Sequence, residues 1–503
     1  MLEIDGHHLT LEDIGTVSRG EQPVRLSAQA ARQLKESRAV VELALREGRT
    51  VYGVTTGFGD LARIAIPPED RELLQEKLLT NHAAGVGEIL PDDVVRAMLL
   101  LRANALAKGH SGVRIELVER LLTWLREDCL PVVPSQGSVG ASGDLAPLAH
   151  LALPLLGLGE MRLRGTRMPT AQAQAAIGLG SMTLQAKEGL ALTNGTQLMA
   201  SIGSLGLLES QTLLDTADVV ASLTAQALRG IPDAYAEQIV RARPHPGAIE
   251  TAAHLRTLLA GSRLTTSPGQ LRMQDAYSIR CIPQVHGAAR QVASHVRGVL
   301  EIEINSATDN PLVFPDDGTV VSGGNFHGEP LAVALDYLAI GLAEMASISE
   351  RRIERMVNPA LSGLPPFLTN AQGTSSGMMI AQYTAAALVS HNKVLAHPAS
   401  VDSIPTSANQ EDIVSMGSIG ALKLRDVLRQ SWQVLGIELV AACQALDFVG
   451  PEHLSPATRR VHQMVRDSLP HYEDTVLSLD LNMGAALCRA GDVLTASREG
   501  SES

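Results

Sequence analysis

Apolar residues recur at helical spacing along most of this chain, each stripe backed by charged or polar positions. Ala28–Glu47 and Val113–Asp128 carry that pattern as amphipathic helices. Pro68–Thr80 and Pro91–Ala107 open on proline followed by acids, the composition of a helix N-terminus. Beyond residue 187 the periodic runs lengthen. Glu188–Leu228 and Asn409–Leu446 contain no proline and predict long helices, with Pro330–Val357 and Ser375–Leu395 between them. Strand signals are short: Thr319–Val321, and Leu2–Ile4 with Val24–Leu26. The pattern predicts a mainly α protein. An N-terminal lobe of short helices and functional loops (residues 1–190) precedes a long central helical bundle with a C-terminal helical region (residues 191–503). Long helices with wide apolar faces need neighbours, in the same chain or in another copy.

Composition narrows the classes. The chain has 503 residues, 45% hydrophobic and 3% aromatic, so its core is packed by aliphatic side chains. A formal net charge of -13 argues against nucleic acid as a partner. The longest apolar stretch, near Ala149–Leu158, is interrupted by Pro154 and is too short to span a bilayer. Four cysteines, Cys129, Cys281, Cys443 and Cys488, have neither Cys-x-x-Cys nor zinc spacing, which fits reduced thiols in a cytoplasm. The residues carry no motif for a nucleotide, flavin, haem or metal.

The most distinctive chemistry lies in Ser135-Gln136-Gly137-Ser138-Val139-Gly140-Ala141-Ser142-Gly143-Asp144-Leu145. It is neither a phosphate-binding Gly-x-x-x-x-Gly-Lys loop nor a Gly-x-Ser-x-Gly elbow. Glycines permit the tight backbone in which the Gly143 amide nitrogen attacks the Ala141 carbonyl. Loss of two waters would leave a five-membered methylidene-imidazolone, with Ser142 as its exocyclic alkene. Five other segments are rich in polar residues that bury poorly. Tyr52–Gly59 sets a tyrosine among three glycines, and Tyr52 is a candidate base or a packed turn residue. His82 follows Asn81 before a small-residue run. Thr193-Asn194-Gly195 stands at the head of a predicted long helix, where capping alone explains it. Gln274–Arg280 ends on a cation able to clamp a carboxylate. Asn409–Asp412 places acids at a predicted helix start, where they offset the helix dipole.

These segments, in this order, resemble the aromatic amino-acid ammonia-lyases, the methylidene-imidazolone family, over nearly the whole chain. Tyr52–Gly59, His82–Gly87, Gly137–Leu145, Leu192–Gln197, Gln274–Cys281, Ser322–His327 and Ser403–Asp412 carry the resemblance. It implies a helical homotetramer with active sites shared between subunits. It implies a ring formed by Ala141, Ser142 and Gly143, with no external cofactor and no metal. Tyr52 would take the β-hydrogen, and Asn194 would support the ring oxygen or the substrate. Arg280 would hold the substrate carboxylate, with Gln274 and Tyr277 beside it, and Phe326 would pack near the ring. His82 and Glu411 resemble the imidazole-recognition pair of histidine ammonia-lyases. A neutral imidazole offers one donor and one acceptor to match such a pair. Thr55, Asn81, Ala276 and Ile413 depart from the usual histidine pattern. The implied reaction is elimination of ammonia from L-histidine to give trans-urocanate. A tyrosine or phenylalanine ammonia-lyase, or a 2,3-aminomutase, is the alternative.

Overall fold

The structure, a computed structural model, describes residues 1–57, 59, 63–371, 373–470 and 476–498. Phe58, within the Tyr52–Gly59 segment, lies outside them. The fold is mainly α, and its named strands are three or four residues long. The described chain divides into two compact units. The first comprises Met1–Leu208, Arg297–Asp336 and Pro398–Leu422; the second comprises Glu209–Val296, Tyr337–His397 and Lys423–Ser503.

In the first unit, Leu2–Ile4 and Val24–Leu26 pair in parallel, Leu2 opposite Val24. The next helix, Ala28–Arg46, begins where the Ser27 hydroxyl accepts from the Ala30 amide at 3.0 Å. Helix Asp92–Ala107 follows Pro91 and is buried almost throughout. Its Met98, Leu99, Leu100 and Leu101 are each at most 2% exposed. Burial of each such side chain stabilises the unit by about 1.5–3 kcal/mol. Helix Ile115–Arg126 buries Leu117, Val118, Leu121, Leu122 and Trp124 on one face, as its periodicity predicts. Strand Glu160–Leu163 pairs with both Cys129–Pro131 and Thr166–Pro169. Strand Val86–Ile89 pairs with Pro134–Gln136, which leads into the Gly-rich segment. That segment ends at helix Leu145–Ala152.

The second unit packs around Ala221, Tyr235, Val240, Ala252, Leu255, Leu259 and Ile282. It also buries charge. Asp218 accepts from the Nδ1 atoms of His254 and His286 and from Arg290, at 3.1, 2.7 and 2.7 Å. Arg352 forms a two-pronged pair with Glu438, both fully buried.

Most predicted helices occur with ends shifted by a few residues, among them Arg71–His82, Glu329–Val357 and Met379–Leu395. Two do not run as predicted. Glu188–Leu228 is not one helix: Glu188–Thr193 ends at Asn194 in an extended conformation, and a second helix runs Gln197–Ala227. The break persists because the Asp144 carboxylate, from the Gly-rich segment, accepts from the Leu198 and Met199 amides at 2.8 and 3.1 Å. It thereby caps the second helix. The helix predicted from Asn409 starts only at Gly417. Ser407, Ala408, Asn409 and Met416 have φ of +48, +53, +67 and +52°, which no right-handed helix accommodates. Among the described residues two helices, Glu329–Val357 and Gly417–Val449, are long and apolar enough to cross a membrane. Their most apolar windows are 61% and 78% buried, as in core helices.

Candidate active site

Within the first unit, five of the candidate residues line one cavity of about 360 Å³: Tyr52, Ser142, Asn194, Phe326 and Glu411. Each arrives on an irregular segment. Tyr52 sits in the turn after helix Ala28–Arg46, and its hydroxyl accepts from the Gly59 amide at 3.1 Å. Thr55, in that turn, accepts from the Val51 amide and donates to the Arg49 carbonyl, at 2.8 and 3.0 Å. It is therefore part of what shapes the loop.

Ser142 occupies the turn between strand Pro134–Gln136 and helix Leu145–Ala152. Gly143 has φ +73°, and a Cβ there would lie 2.0 Å from the Gly195 carbonyl oxygen and 3.0 Å from that of Phe326. Only glycine fits. The Gly195 amide donates to the Ser142 carbonyl oxygen at 3.3 Å, and the Asp144 amide donates to Gly195 O at 2.7 Å. The Ser138 hydroxyl reaches Gly143 O at 3.3 Å. The Ala141-Ser142-Gly143 backbone is thus closely packed and side-chain-free at Gly143, and held by hydrogen bonds at the Ser142 and Gly143 carbonyls. These residues fit a group made by cyclising that tripeptide.

Asn194 ends the short helix Glu188–Thr193, is 4% exposed, and donates from Nδ2 to Asn310 O at 2.9 Å. Glu411 is not in a helix, so dipole compensation does not account for it. Its Oε1 receives the Ser142 hydroxyl at 3.5 Å, and its Oε2 receives the Thr406 hydroxyl at 2.7 Å. Asp144, behind the turn, is fully buried. Burial pushes its carboxyl up to about 7, against the hydrogen bonds from Met199, Ser418 and Leu198.

The remaining candidates lie elsewhere. His82 ends helix Arg71–His82, half-buried, and does not line the cavity; its Nδ1 donates to Leu78 O at 2.8 Å. Gln274, Tyr277 and Arg280 belong to the second unit. There the Arg280 guanidinium lies 4.5 Å from the Tyr277 ring centroid, while Tyr277 is 70% exposed. Arg63 and Asn310 line the cavity and were not singled out from the sequence. Each is a lone polar residue with no patterned neighbour, so no local signal marks it. Among the described residues, no group of three or more His, Cys, Asp or Glu could hold a metal ion.

Comparison with known proteins agrees with this geometry. The chain is 55% identical, over 98% of its length and 97% of the relative's, to a histidine ammonia-lyase of Symbiobacterium thermophilum. The crystal structure of histidine ammonia-lyase from Trypanosoma cruzi superposes with a TM-score of 0.92 at 43% identity, covering 99% of this chain and 95% of that one. Tyrosine aminomutase from Streptomyces globisporus shares the fold with a TM-score of 0.94 at 38% identity, covering 98% of each chain. The family model described as Aromatic amino acid lyase matches residues 9–467. The resemblance read from the Gly-rich segment and its distant partners therefore holds across the chain, which belongs to the aromatic amino acid lyase family.

Proposed function

We propose that this chain is a histidine ammonia-lyase, a carbon–nitrogen lyase that converts L-histidine to trans-urocanate and ammonia. One observation carries the reading: the Ser142 hydroxyl and the Glu411 carboxylate face each other at 3.5 Å in a cavity walled also by Tyr52. An amino acid whose amine reaches Ser142 has its side chain within reach of a carboxylate that can accept an imidazole N–H. A phenyl ring would leave that carboxylate unpaired, at a cost of about 1–3 kcal/mol. The phenylalanine alternative is disfavoured on this ground, and the tyrosine and aminomutase alternatives by the relatives. The histidine ammonia-lyases of Symbiobacterium thermophilum and Trypanosoma cruzi, at 55% and 43% identity, support the same choice.

A methylidene-imidazolone made from Ala141, Ser142 and Gly143 supplies an electron-poor alkene to which an amine can add, making a poor leaving group a better one. The chain's own residues do the rest in this reading. Tyr52 takes the β-proton onto its phenolic oxygen. Glu411 receives one imidazole N–H, and His82 meets the other nitrogen as the tautomer that donates from Nε2, giving up its Nδ1–H bond to Leu78 O. The Gly195 amide steadies the Ser142 carbonyl, where negative charge collects, and Asn194 supports that oxygen or the substrate. Phe326 packs against the reacting atoms.

Arg280 pairs with the substrate carboxylate, with Gln274 and Tyr277 at its side. These three sit in an exposed stretch with Leu271, Met273 and Tyr277 at 51, 74 and 70% exposure. That exposure supports a homotetramer in which one copy completes a neighbour's site. A cytoplasmic setting is supported by four cysteines in no disulfide; burial pushes Cys129 up to about 11 and Cys443 up to about 12.

The test is incubation with histidine, tyrosine and phenylalanine, followed by ultraviolet absorbance of each unsaturated acid, with intact mass of the enzyme. Urocanate and a two-water mass deficit are expected. Coumarate or cinnamate in place of urocanate would overturn the substrate, and an undiminished mass would overturn the ring.

A further inference from the structure

Arg102 lies on helix Asp92–Ala107 and is 1% exposed, among the largest fully buried side chains of the first unit. Its Nη1 donates to the carbonyl oxygen of Asn194. Its Nε and Nη2 are buried with no hydrogen-bond partner. A guanidinium buried this way is costly unless something needs it. Asp309, the buried acid whose charge favours the guanidinium, has its oxygens engaged elsewhere. Asp309 takes Lys187 Nζ on Oδ2 at 2.5 Å and the Asn310 amide on Oδ1 at 2.6 Å. Lys187 and Asp309 are themselves fully buried.

The one bond Arg102 makes falls on a particular peptide. The carbonyl of Asn194 and the amide of Gly195 belong to the same peptide group, and that amide donates to Ser142 O at 3.3 Å. When Ala141-Ser142-Gly143 cyclises, the two departing waters carry away the Ala141 oxygen and the Ser142 hydroxyl. The Ser142 carbonyl oxygen stays, as the ring oxygen. A cation on one end of a peptide dipole strengthens the N–H at its other end, and the effect grows in a dry, low-dielectric setting.

We infer that Arg102 is a positioning residue that polarises the Asn194–Gly195 peptide and so strengthens the Gly195 N–H held against the Ser142 carbonyl oxygen. The inference rests on the reading that the tripeptide cyclises. Close packing fixes the geometry: a Cβ on Gly195 would lie 2.8 Å from Arg102 Nη1. Burial lowers the guanidinium only to about 10, partly offset by Asp309, so it stays charged at neutral pH.

The experiment uses the full-length enzyme, Arg102→Gln and Arg102→Lys. It measures intact mass, steady-state constants for histidine, and the rate at which sodium borohydride adds hydride, with a proton from water, to the ring alkene. The hydride rate reads the electrophile without substrate turnover. An undiminished parent mass defeats the cyclisation reading itself and is seen before any variant is compared. With a ring-bearing parent, Arg102→Gln is expected to slow both hydride addition and kcat about tenfold, with KM moving less than about threefold. Arg102→Lys keeps the cation and is expected within about threefold of the parent. A folded Arg102→Gln that lacks the ring while Arg102→Lys has it also supports the inference, because the same oxygen is held during cyclisation. Parental hydride addition in a ring-bearing Arg102→Gln overturns it. So does an equal loss in both variants, which would make the role one of shape. If Arg102→Gln does not fold, Arg102→Lys decides alone: a loss beyond threefold overturns the inference, and a smaller one supports it.

Discussion

The Thr406 hydroxyl donates to Glu411 Oε2 at 2.7 Å, which leaves Oε1 turned toward Ser142. The backbones of the two residues are cross-bonded, Thr406 N to Glu411 O at 3.0 Å and Glu411 N to Thr406 O at 3.3 Å. Three left-handed residues, Ser407, Ala408 and Asn409, close the turn between them. The carboxylate is therefore held by one oxygen and offers the other. Thr406→Val keeps the β-branched shape in an extended backbone but removes the donor. A hydrogen bond to a charged group is worth about 1.5–3 kcal/mol, and discounting for partial exposure leaves roughly tenfold in kcat/KM for histidine. Thr406→Ser should restore most of it. Urocanate absorbance measures both, and equal activity in all three proteins would rule the contact out as an orienting one.

Glu411 itself separates specificity from capping. Because the helix begins at Gly417, Glu411→Ala removes no helix cap. The variant should keep parental far-ultraviolet circular dichroism and its melting temperature within a few degrees. Histidine turnover should fall by at least about a hundredfold, since the imidazole N–H loses its acceptor. A matching loss of helical signal would instead tie Glu411 to the fold.

Gly143→Ala and Ser142→Ala should both abolish the two-water mass deficit, for different reasons. Ser142→Ala removes the hydroxyl that leaves as water and should keep the fold. Gly143→Ala forces a Cβ to 2.0 Å from Gly195 O at φ +73°. The left-handed backbone alone costs about 1–2 kcal/mol, and the clash adds to it, so its melting temperature should fall below that of Ser142→Ala. A Gly143→Ala protein with a full ring and parental melting would contradict the packing described.

Helices whose stripe packs locally were legible in the sequence. Ala28–Arg46 and Ile115–Arg126 follow their apolar spacing to within two residues at each end. The breaks at 194–196 and 407–416 were not, because distant groups set them. Asp144 caps a helix more than fifty residues later, and the bend before Gly417 depends on left-handed alanine, serine and methionine, which no turn rule favours. The same holds for the site. Taken one at a time, Tyr52, Asn194 and Glu411 read equally well as a packed turn residue, a cap and dipole compensation, and Phe326 carried no signal outside the resemblance. Their common cavity follows from the fold, and Arg63 and Asn310 join it with no local pattern to announce them.

Acid should unfold the second unit in two stages. His286 is fully buried, donates from Nδ1 to Asp218, and has Arg352 Nη1 at 3.5 Å from Nε2. A nitrogen facing an arginine donor must present a lone pair, so the ring is neutral. Burial, with the Arg352 charge, holds it below the ordinary value of 6.5 against the pull of Asp218 and Glu438. The unfolded chain then binds the extra proton, and stability falls as pH drops below about 6.5. For Asp218 burial works the other way, but hydrogen bonds from His254 and His286 and the charge of Arg290 hold the carboxyl below 3.8. Its contribution is present above 3.8 and is lost as pH falls further. Asp215 and Glu250 also pair with Arg290, at 2.8 and 3.0 Å, so that cation keeps partners in part when Asp218 is neutralised. Urea midpoints across pH 3–8 should therefore decline below 6.5 and again below 3.8. His286→Gln should flatten the first limb and leave the second. Asp218→Asn should flatten the second, at a cost of about 1.5–3 kcal/mol at neutral pH from the lost charge-assisted hydrogen bond, since Arg290 keeps Asp215 and Glu250. An unchanged first limb in His286→Gln would assign that titration to another group.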